Sequence, residues 1–204
     1  MKVCGLTGGV GMGKSTAANF LRERGAQIVD TDELARQLVQ PSRPALDKIQ
    51  SAFGKTVIAQ TGELKRDELA RIVFADADAR KKLEAILHPP IREQWLAQIE
   101  AWRAAAKRDD GRSGTDHPIG FVVIPLLFET QAESHFDKII CVACSDATRQ
   151  QRLLARGWTQ EQIRQRIAAQ MPVEEKIARA DYVIWTEGTL AVHERQIDRL
   201  LAAL

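Results

Sequence analysis

The sequence Gly8-Gly9-Val10-Gly11-Met12-Gly13-Lys14-Ser15-Thr16 follows a short apolar run, Val3 to Leu6, and precedes a helical-looking run, Ala17 to Arg24. Its pattern is G-x-x-x-x-G-K-S, the Walker A phosphate loop, in the strand–loop–helix setting that the motif needs. The residue types follow from the chemistry. Closely spaced glycines let successive backbone N–H groups turn inward around phosphate oxygens with no Cβ in the way. A helix that starts at the loop's end aims its unpaired N–H groups and positive dipole end at the same anion. In this pattern Gly9, Gly11, Met12, Gly13 and Thr16 supply the cradle, Lys14 reaches the β- and γ-phosphates, and the Ser15 hydroxyl serves as a Mg²⁺ ligand. The sequence therefore predicts that the chain binds a nucleoside triphosphate.

A chain of 204 residues, 45% of them apolar, is enough for one α/β domain with a substantial core. The net charge of +2 is small against 29 basic and 27 acidic side chains, so bulk charge predicts no nucleic-acid partner. The longest apolar run, Phe121 to Phe128, has eight residues and contains Pro125, which predicts no membrane span. The first strand follows the start without a signal-peptide pattern, so the expected compartment is the cytoplasm. Cys141 and Cys144 read C-V-A-C on a strand-like run. Residues three apart on a strand face opposite ways and no second pair completes a metal site, so buried structural thiols are expected.

Outward from the loop, apolar β-type runs recur at Val3–Leu6, Ala26–Val29, Phe121–Ile124, Ile139–Val142 and Tyr182–Trp185, with helical patterns between them. That alternation predicts an α/β fold of the P-loop NTPase type: a five-stranded, mainly parallel sheet with helices on both faces. The second strand runs into Asp30-Thr31-Asp32-Glu33, on the sheet edge where the phosphate loop emerges. Thr31 or Asp32 can cap a helix over Glu33–Val39, or a carboxylate here can accept a proton from an attacking hydroxyl and order Mg²⁺. From Pro41 to Arg108 the pattern is helical, with Ala45–Phe53, Arg66–Phe74 and Asp76–Leu87 as separate helices. His88-Pro89-Pro90 is expected to break the last of these, and a new helix then carries Ile91, Trp95, Ile99 and Trp102 as one stripe. This stretch is too long for a crossover and reads as an inserted lobe.

The polar run 107–118 reads as an exposed loop, with His117 in it. The third strand carries no Asp at its end; the first carboxylate is Glu129, so Mg²⁺ is expected on Ser15 with an acid from the second strand, or on Glu129. Asp146–Arg156 reads as a helix with Arg149, Arg152 and Arg156 on one face within about a sixth of a turn. With a second short helix, Gln160–Ala169, joined through Gly157, it reads as a solvated basic face or as a cationic lid over a transferred phosphoryl group. At the end Leu190, Ile197, Leu200, Leu201 and Leu204 form a docking stripe, and His193 is expected at the surface.

The whole constellation resembles the dephospho-coenzyme A kinase family. The resemblance rests on Leu6 to Thr16, Val29-Asp30-Thr31-Asp32 with Ala35-Arg36, Gly62-Glu63-Leu64-Lys65-Arg66, Leu87-His88-Pro89 with Ile91-Arg92, Pro125-Leu126-Leu127-Phe128-Glu129, Arg152-Leu153, Arg156, Arg166-Ile167, Ala169-Gln170 and Ala180-Asp181. It implies transfer of the ATP γ-phosphoryl group, with Mg²⁺, to the ribose 3′-hydroxyl of dephospho-CoA. It further implies Asp32 as base and Mg²⁺-ordering acid, Lys14 on the phosphates, Arg152 and Arg156 as lid cations, and His88 with Arg92 in the acceptor lobe. The corresponding division is a nucleotide core at 1–32, 119–144 and 171–204, an acceptor-binding lobe at 33–118 and a lid at 145–170. Three positions depart from the family's usual pattern. Met12 replaces a small residue, so its side chain must point away from the phosphates. Lys65 replaces an Asp, and Thr186 stands where an Asn usually follows strand five, leaving base selection to backbone groups or Trp185.

Two other readings fit less well. A nucleoside monophosphate or small-alcohol kinase of the same fold would not need the His88-Pro89 and Arg92 segment. A GTP-binding switch needs N-K-x-D and D-x-x-G, but the only asparagine is Asn19 and no Asp stands three residues before a Gly.

Overall fold

The computed structural model describes residues 1–108 and 119–204; the remainder of the expected polar loop, with His117, lies outside the described residues. The sheet strands are β1 (Val3–Thr7), β2 (Gln27–Asp30), β3 (Gly120–Val123), β4 (Lys138–Ala143) and β5 (Tyr182–Trp185). The helices are α1 (Lys14–Glu23), α2 (Thr31–Leu38), α3 (Pro44–Phe53), α4 (Arg66–Ala75), α5 (Ala77–Arg108), α6 (Asp146–Ala155), α7 (Gln160–Ala168), α8 (Val173–Arg179) and α9 (Leu190–Ala203). The strand order is β2-β3-β1-β4-β5, and every pairing is parallel. This is the five-stranded sheet expected, with β1 buried over its whole length at the centre.

Alternation along the strands builds the core. Cys4 and Leu6, Phe121 and Val123, Ile140 and Val142, and Ile184 share one face with Ala17, Phe20 and Leu21 of α1 and Ile197 and Leu200 of α9. Burying aliphatic and aromatic side chains like these contributes about 2 kcal/mol each. The parallel register sends β1 and β2 toward the same edge, so the loop after Thr7 and Asp30 at the end of β2 lie on one edge of the sheet.

The chain forms two compact units, Met1–Asp30 with Gln98–Leu204, and Thr31–Ala97. The second has its own core of Val39, Leu46, Ile49, Val57, Leu69 and Val73, with Leu83, Ile86 and Leu87 packed against it. Its turn at Gly62 is held by backbone bonds: Ala59 N–H donates to Glu63 O at 2.8 Å and Lys65 N–H to Val57 O at 2.8 Å. Lys65 is the N-cap of α4 and gives no side-chain cap, because an ammonium cannot accept a bond from the helix amides.

Four local expectations need correction. The helix of 77–108 runs unbroken through Pro89 and Pro90. Each proline removes a backbone bond and costs about 3 kcal/mol in isolation, but Ile86 and Leu87 before them and Trp95, Ile99 and Trp102 after them are packed, which holds the helix together. Helix α2 begins at Thr31 rather than Glu33, so Thr31 and Asp32 lie inside its first turn and do not flank it as caps. Leu190 is 63% exposed, and His193, expected at the surface, is 4% exposed and takes the buried place on α9. The stripe that docks α9 therefore begins one turn later than the leucine pattern indicates, at 193 with offsets of four and seven to Ile197 and Leu200.

Candidate active site

The phosphate loop has the geometry its glycines require. Gly8 adopts φ +143, and a Cβ there would lie 2.2 Å from the Val142 carbonyl oxygen, so the loop can leave β1 only with glycine at this point. Gly13, at φ 94, is the N-cap of α1 and provides no side-chain bond, so the first turn of the helix presents its amides outward. Lys14 Nζ lies 2.9 Å from both the Gly8 and Gly9 carbonyl oxygens, folded along the loop. Ser15 is exposed and Thr16 half-buried in the same turn. The Met12 side chain is fully buried against Ala143, Cys144, Val173 and Ile177.

Helix α6 packs directly on this loop. The Arg149 side chain, 5% exposed, donates from Nε to the Val10 carbonyl at 3.0 Å. Gln170 Oε1 accepts from the Val10 N–H at 2.9 Å, so both sides of one loop residue are held from the following segment. A Cβ on Gly9 would lie 3.0 Å from Arg149 Nη2, and one on Gly11 would lie 2.9 Å from Leu153 Cγ. Burial lowers the Arg149 pKa from its ordinary value, opposed by Asp146 at 3.8 Å. The start of α6 is fixed by Ser145, which caps Thr148 N–H, and by Glu187, which accepts from Ser145 N–H at 2.7 Å and Thr148 Oγ1 at 2.8 Å. Those bonds hold the Glu187 carboxyl below its usual pKa. Arg152 donates from Nη1 to Thr186 Oγ1 at 2.8 Å and from Nη2 to Thr186 O at 2.6 Å. Arg156, the C-cap of α6, is exposed. The three arginines expected on one face of α6 thus have three different settings.

Glu129, the alternative Mg²⁺ ligand, is committed elsewhere. Its Oε1 accepts from Lys176 Nζ at 2.8 Å and from Met171 N–H at 2.8 Å. Lys176 is fully buried and also donates to the Pro125 carbonyl at 2.7 Å. Among the described residues no group of three or more His, Cys, Asp or Glu side chains gathers as a metal site. The three cysteines are buried and free, as expected for Cys141 and Cys144. Among the described residues no helix is long and apolar enough to cross a membrane.

In the second unit, Asp32 is exposed in the first turn of α2, two residues beyond the end of β2. His88 and Arg92 lie one turn apart on α5, both half-buried. Burial lowers the His88 pKa, and Arg92 adds to that while Glu84 opposes it, so the imidazole is neutral near pH 7 beside a fixed cation. Sequence reasoning placed Arg149 only on a basic face or lid, assigned no role to Gln170 or Glu187, and for Thr186 noted only the missing amide. Glu187 belongs to no motif, and Gln170 was visible only as part of the Ala169-Gln170 resemblance.

A sequence model described as dephospho-CoA kinase matches residues 2–191. A dephospho-CoA kinase of Anaeromyxobacter dehalogenans is 42% identical over 205 residues, covering 100% of this chain and 92% of that protein. One of Geobacillus kaustophilus is 42% identical over 198 residues, with 97% and 94% covered. Among solved structures, a Thermus thermophilus protein superposes with a TM-score of 0.76 at 34% identity, covering 100% of this chain and 97% of that one. Shikimate kinase from Acinetobacter baumannii shares the fold alone, with a TM-score of 0.55 at 12% identity and 100% and 94% covered.

Proposed function

The chain belongs to the dephospho-CoA kinase family, and from that premise we propose how its residues divide the work of phosphoryl transfer. It is a kinase with ATP and dephospho-CoA as substrates, carrying out the final step of coenzyme A synthesis. In the proposed mechanism the amides of Gly9 to Thr16 and the Lys14 ammonium hold the β- and γ-phosphates. Arg152 and Arg156 neutralise charge on the transferred group. Asp32 accepts the proton of the acceptor's ribose 3′-hydroxyl as its oxygen attacks phosphorus, and the leaving ADP oxygen is stabilised by Lys14. The Thr31–Ala97 unit binds the acceptor, with Arg92 placed for its pyrophosphate and neutral His88 donating or accepting a hydrogen bond.

Mg²⁺ takes oxygen donors, keeps several waters and uses one or two protein ligands together with substrate phosphates. The Ser15 hydroxyl and the Asp32 carboxylate fit that donor set, whereas Glu129 is occupied by Lys176. When bound, the ion would supply charge neutralisation on the phosphates. The cytoplasm belongs to the same proposal, since three free buried thiols suit a reducing compartment. Any lid motion in this reading is confined to the segment after Gly157, because α6 is anchored to the loop and to Thr186.

The observation that carries this reading is the parallel register that sends the phosphate loop and Asp30, the end of β2, to one sheet edge. Asp32→Asn tests it. Turnover with dephospho-CoA should fall by about 10²- to 10⁴-fold, the usual contribution of a general base, while ATP affinity measured by calorimetry stays near wild type. Turnover within a few-fold of wild type would remove Asp32 from the mechanism.

A further inference from the structure

We propose that Thr186 is a positioning residue, its one hydroxyl coupling the Arg152 guanidinium to the Met12 carbonyl of the phosphate loop. The proposal rests on the reading of Arg152 as a cation that acts on the transferred phosphoryl group.

Thr186 is 4% exposed and uses every polar group it has. Its N–H donates to Ala143 O at 2.8 Å, continuing the sheet past β5. Its hydroxyl donates to Met12 O at 3.0 Å and accepts from Arg152 Nη1 at 2.8 Å, and its carbonyl accepts from Arg152 Nη2 at 2.6 Å. A hydroxyl has one proton and two lone pairs, so accepting from the cation while donating to the loop is the only polarity that satisfies both contacts. Accepting from a guanidinium polarises the O–H and strengthens its bond to Met12. The hydroxyl's one proton is committed to Met12 and its accepting side to Arg152, so position 186 serves here as an anchor.

The anchor also has the right shape. The Thr186 methyl carbon lies 3.3 Å from where a Gly13 Cβ would stand, so the side chain is wedged beneath the turn from which α1 starts. Branching at Cβ restricts χ1 there. The paired contacts from Nη1 and Nη2 grip one edge of the guanidinium and fix its plane, leaving its other donors for phosphate oxygens. Next in sequence, Glu187 pins the start of α6 through Ser145 and Thr148. Two adjacent residues after β5 thus set both the origin of α6 and the direction of the arginine it carries. Loss of the hydroxyl alone leaves the Glu187 contacts and the bond from Nη2 to the backbone in place, so the predicted defect is one of aim.

The test compares Thr186→Val, which keeps shape and removes the hydroxyl, with Thr186→Ser, which keeps the hydroxyl. Both are made in wild type and in Arg152→Ala and assayed by steady-state kinetics with ATP and dephospho-CoA. Thr186→Val should lower kcat by about tenfold, the scale of a misaimed rather than deleted group, with KM for dephospho-CoA unchanged within about twofold. Thr186→Ser should restore most of the loss. In the Arg152→Ala background Thr186→Val should change kcat by less than about twofold, because the group it aims is gone. A Thr186→Val enzyme with wild-type kcat, or one whose loss persists in full without Arg152, overturns the proposal. Equal losses for Ser and Val together with lowered unfolding midpoints also overturn it, in favour of a packing role. If Thr186→Val does not fold, Thr186→Ala is read by the same comparisons. Wild-type enzyme that phosphorylates another acceptor but not dephospho-CoA would instead defeat the family-based acceptor reading, and the coupling between 186 and 152 is then measured with that acceptor.

Discussion

Replacing His193 with leucine should stabilise this protein, and more so in acid. The ring lies on α9, 4% exposed, edge-on to Phe20 with centroids 5.3 Å apart and planes at 86°. Nε2 has no hydrogen-bond partner among the described residues. A buried polar atom left unpaired costs about 1–3 kcal/mol, and the aromatic pair returns about 0.5–1.5 kcal/mol. His193→Leu removes both and keeps an apolar side chain against Phe20, for a net gain of about 1 kcal/mol at pH 7.5. Burial, with Arg152 adding and Glu194 opposing, pushes the imidazole pKa below its ordinary 6.5. A depressed folded-state pKa means the unfolded chain binds the proton first. The wild type therefore keeps its full stability above pH 6.5 and loses it as pH falls, at up to about 1.4 kcal/mol per unit for this one group. His193→Leu lacks that dependence, so the gap should widen between pH 7.5 and pH 5.5. Urea unfolding followed by circular dichroism at the two pH values measures both effects. A variant less stable than wild type at pH 7.5, or one with the same loss on acidification, would refute the reasoning.

The buried pair of Lys176 and Glu129 should be asymmetric. Glu129→Gln strands a cation with no exposure and should cost about 3 kcal/mol or more, whereas Lys176→Met leaves a carboxylate 22% exposed that water can reach, and should cost less. A larger loss for Lys176→Met in the same unfolding assay would contradict this. Burial pushes the Cys4 thiol up to about 12 and Cys141 up to about 11, so both stay protonated in the folded state while the unfolded chain ionises from 9.0. Their contribution to stability is present below pH 9.0 and is lost as pH rises toward 11–12, and neither should react with a thiol reagent at pH 8 until urea is added. Fast labelling of either in the folded protein would show that the burial argument is wrong.

Local patterns carried most of the fold. The strand Tyr182–Trp185 lies where its apolar run predicted, and α3 differs from its expected span by one residue. Local rules failed where distant residues decide the outcome. Proline disfavours a helix interior by an amount that the packed side chains around Pro89 and Pro90 exceed. A single histidine followed by Glu194, Arg195 and Gln196 looks like surface until Phe20 of another helix covers it. The contacts that shape the site are more distant still: Thr186 to Met12 spans 174 positions, Val10 to Gln170 spans 160 and Arg149 to Val10 spans 139. No periodicity connects such partners, so the phosphate loop was legible and the residues that hold it were not.

The arginines of α6 show what periodicity measures. Spacing by three and four puts Arg149, Arg152 and Arg156 on one face, but a helix rises about 1.5 Å per residue, so the first and last stand roughly 10 Å apart along its axis. The loop lies along α6, where Arg149 near its start is buried on Val10 and Leu153 in its last turn fills the space beside Gly11. Arg152 is gripped by Thr186, and Arg156 is exposed at the C-cap, just before Gly157, where a Cβ would meet nothing within 4 Å. A charge that is already oriented costs no reorganisation when negative charge develops beside it, whereas one on an open segment must be ordered first. On the proposed reading of Arg152 as a cation acting on the transferred group, its two bonds to Thr186 orient the guanidinium without ATP. Among the described residues Arg156 has no such orienting contact at its exposed C-cap position, while beyond the glycine Arg164 pairs with Glu161 and Arg166 lies over the Trp158 ring at 4.1 Å.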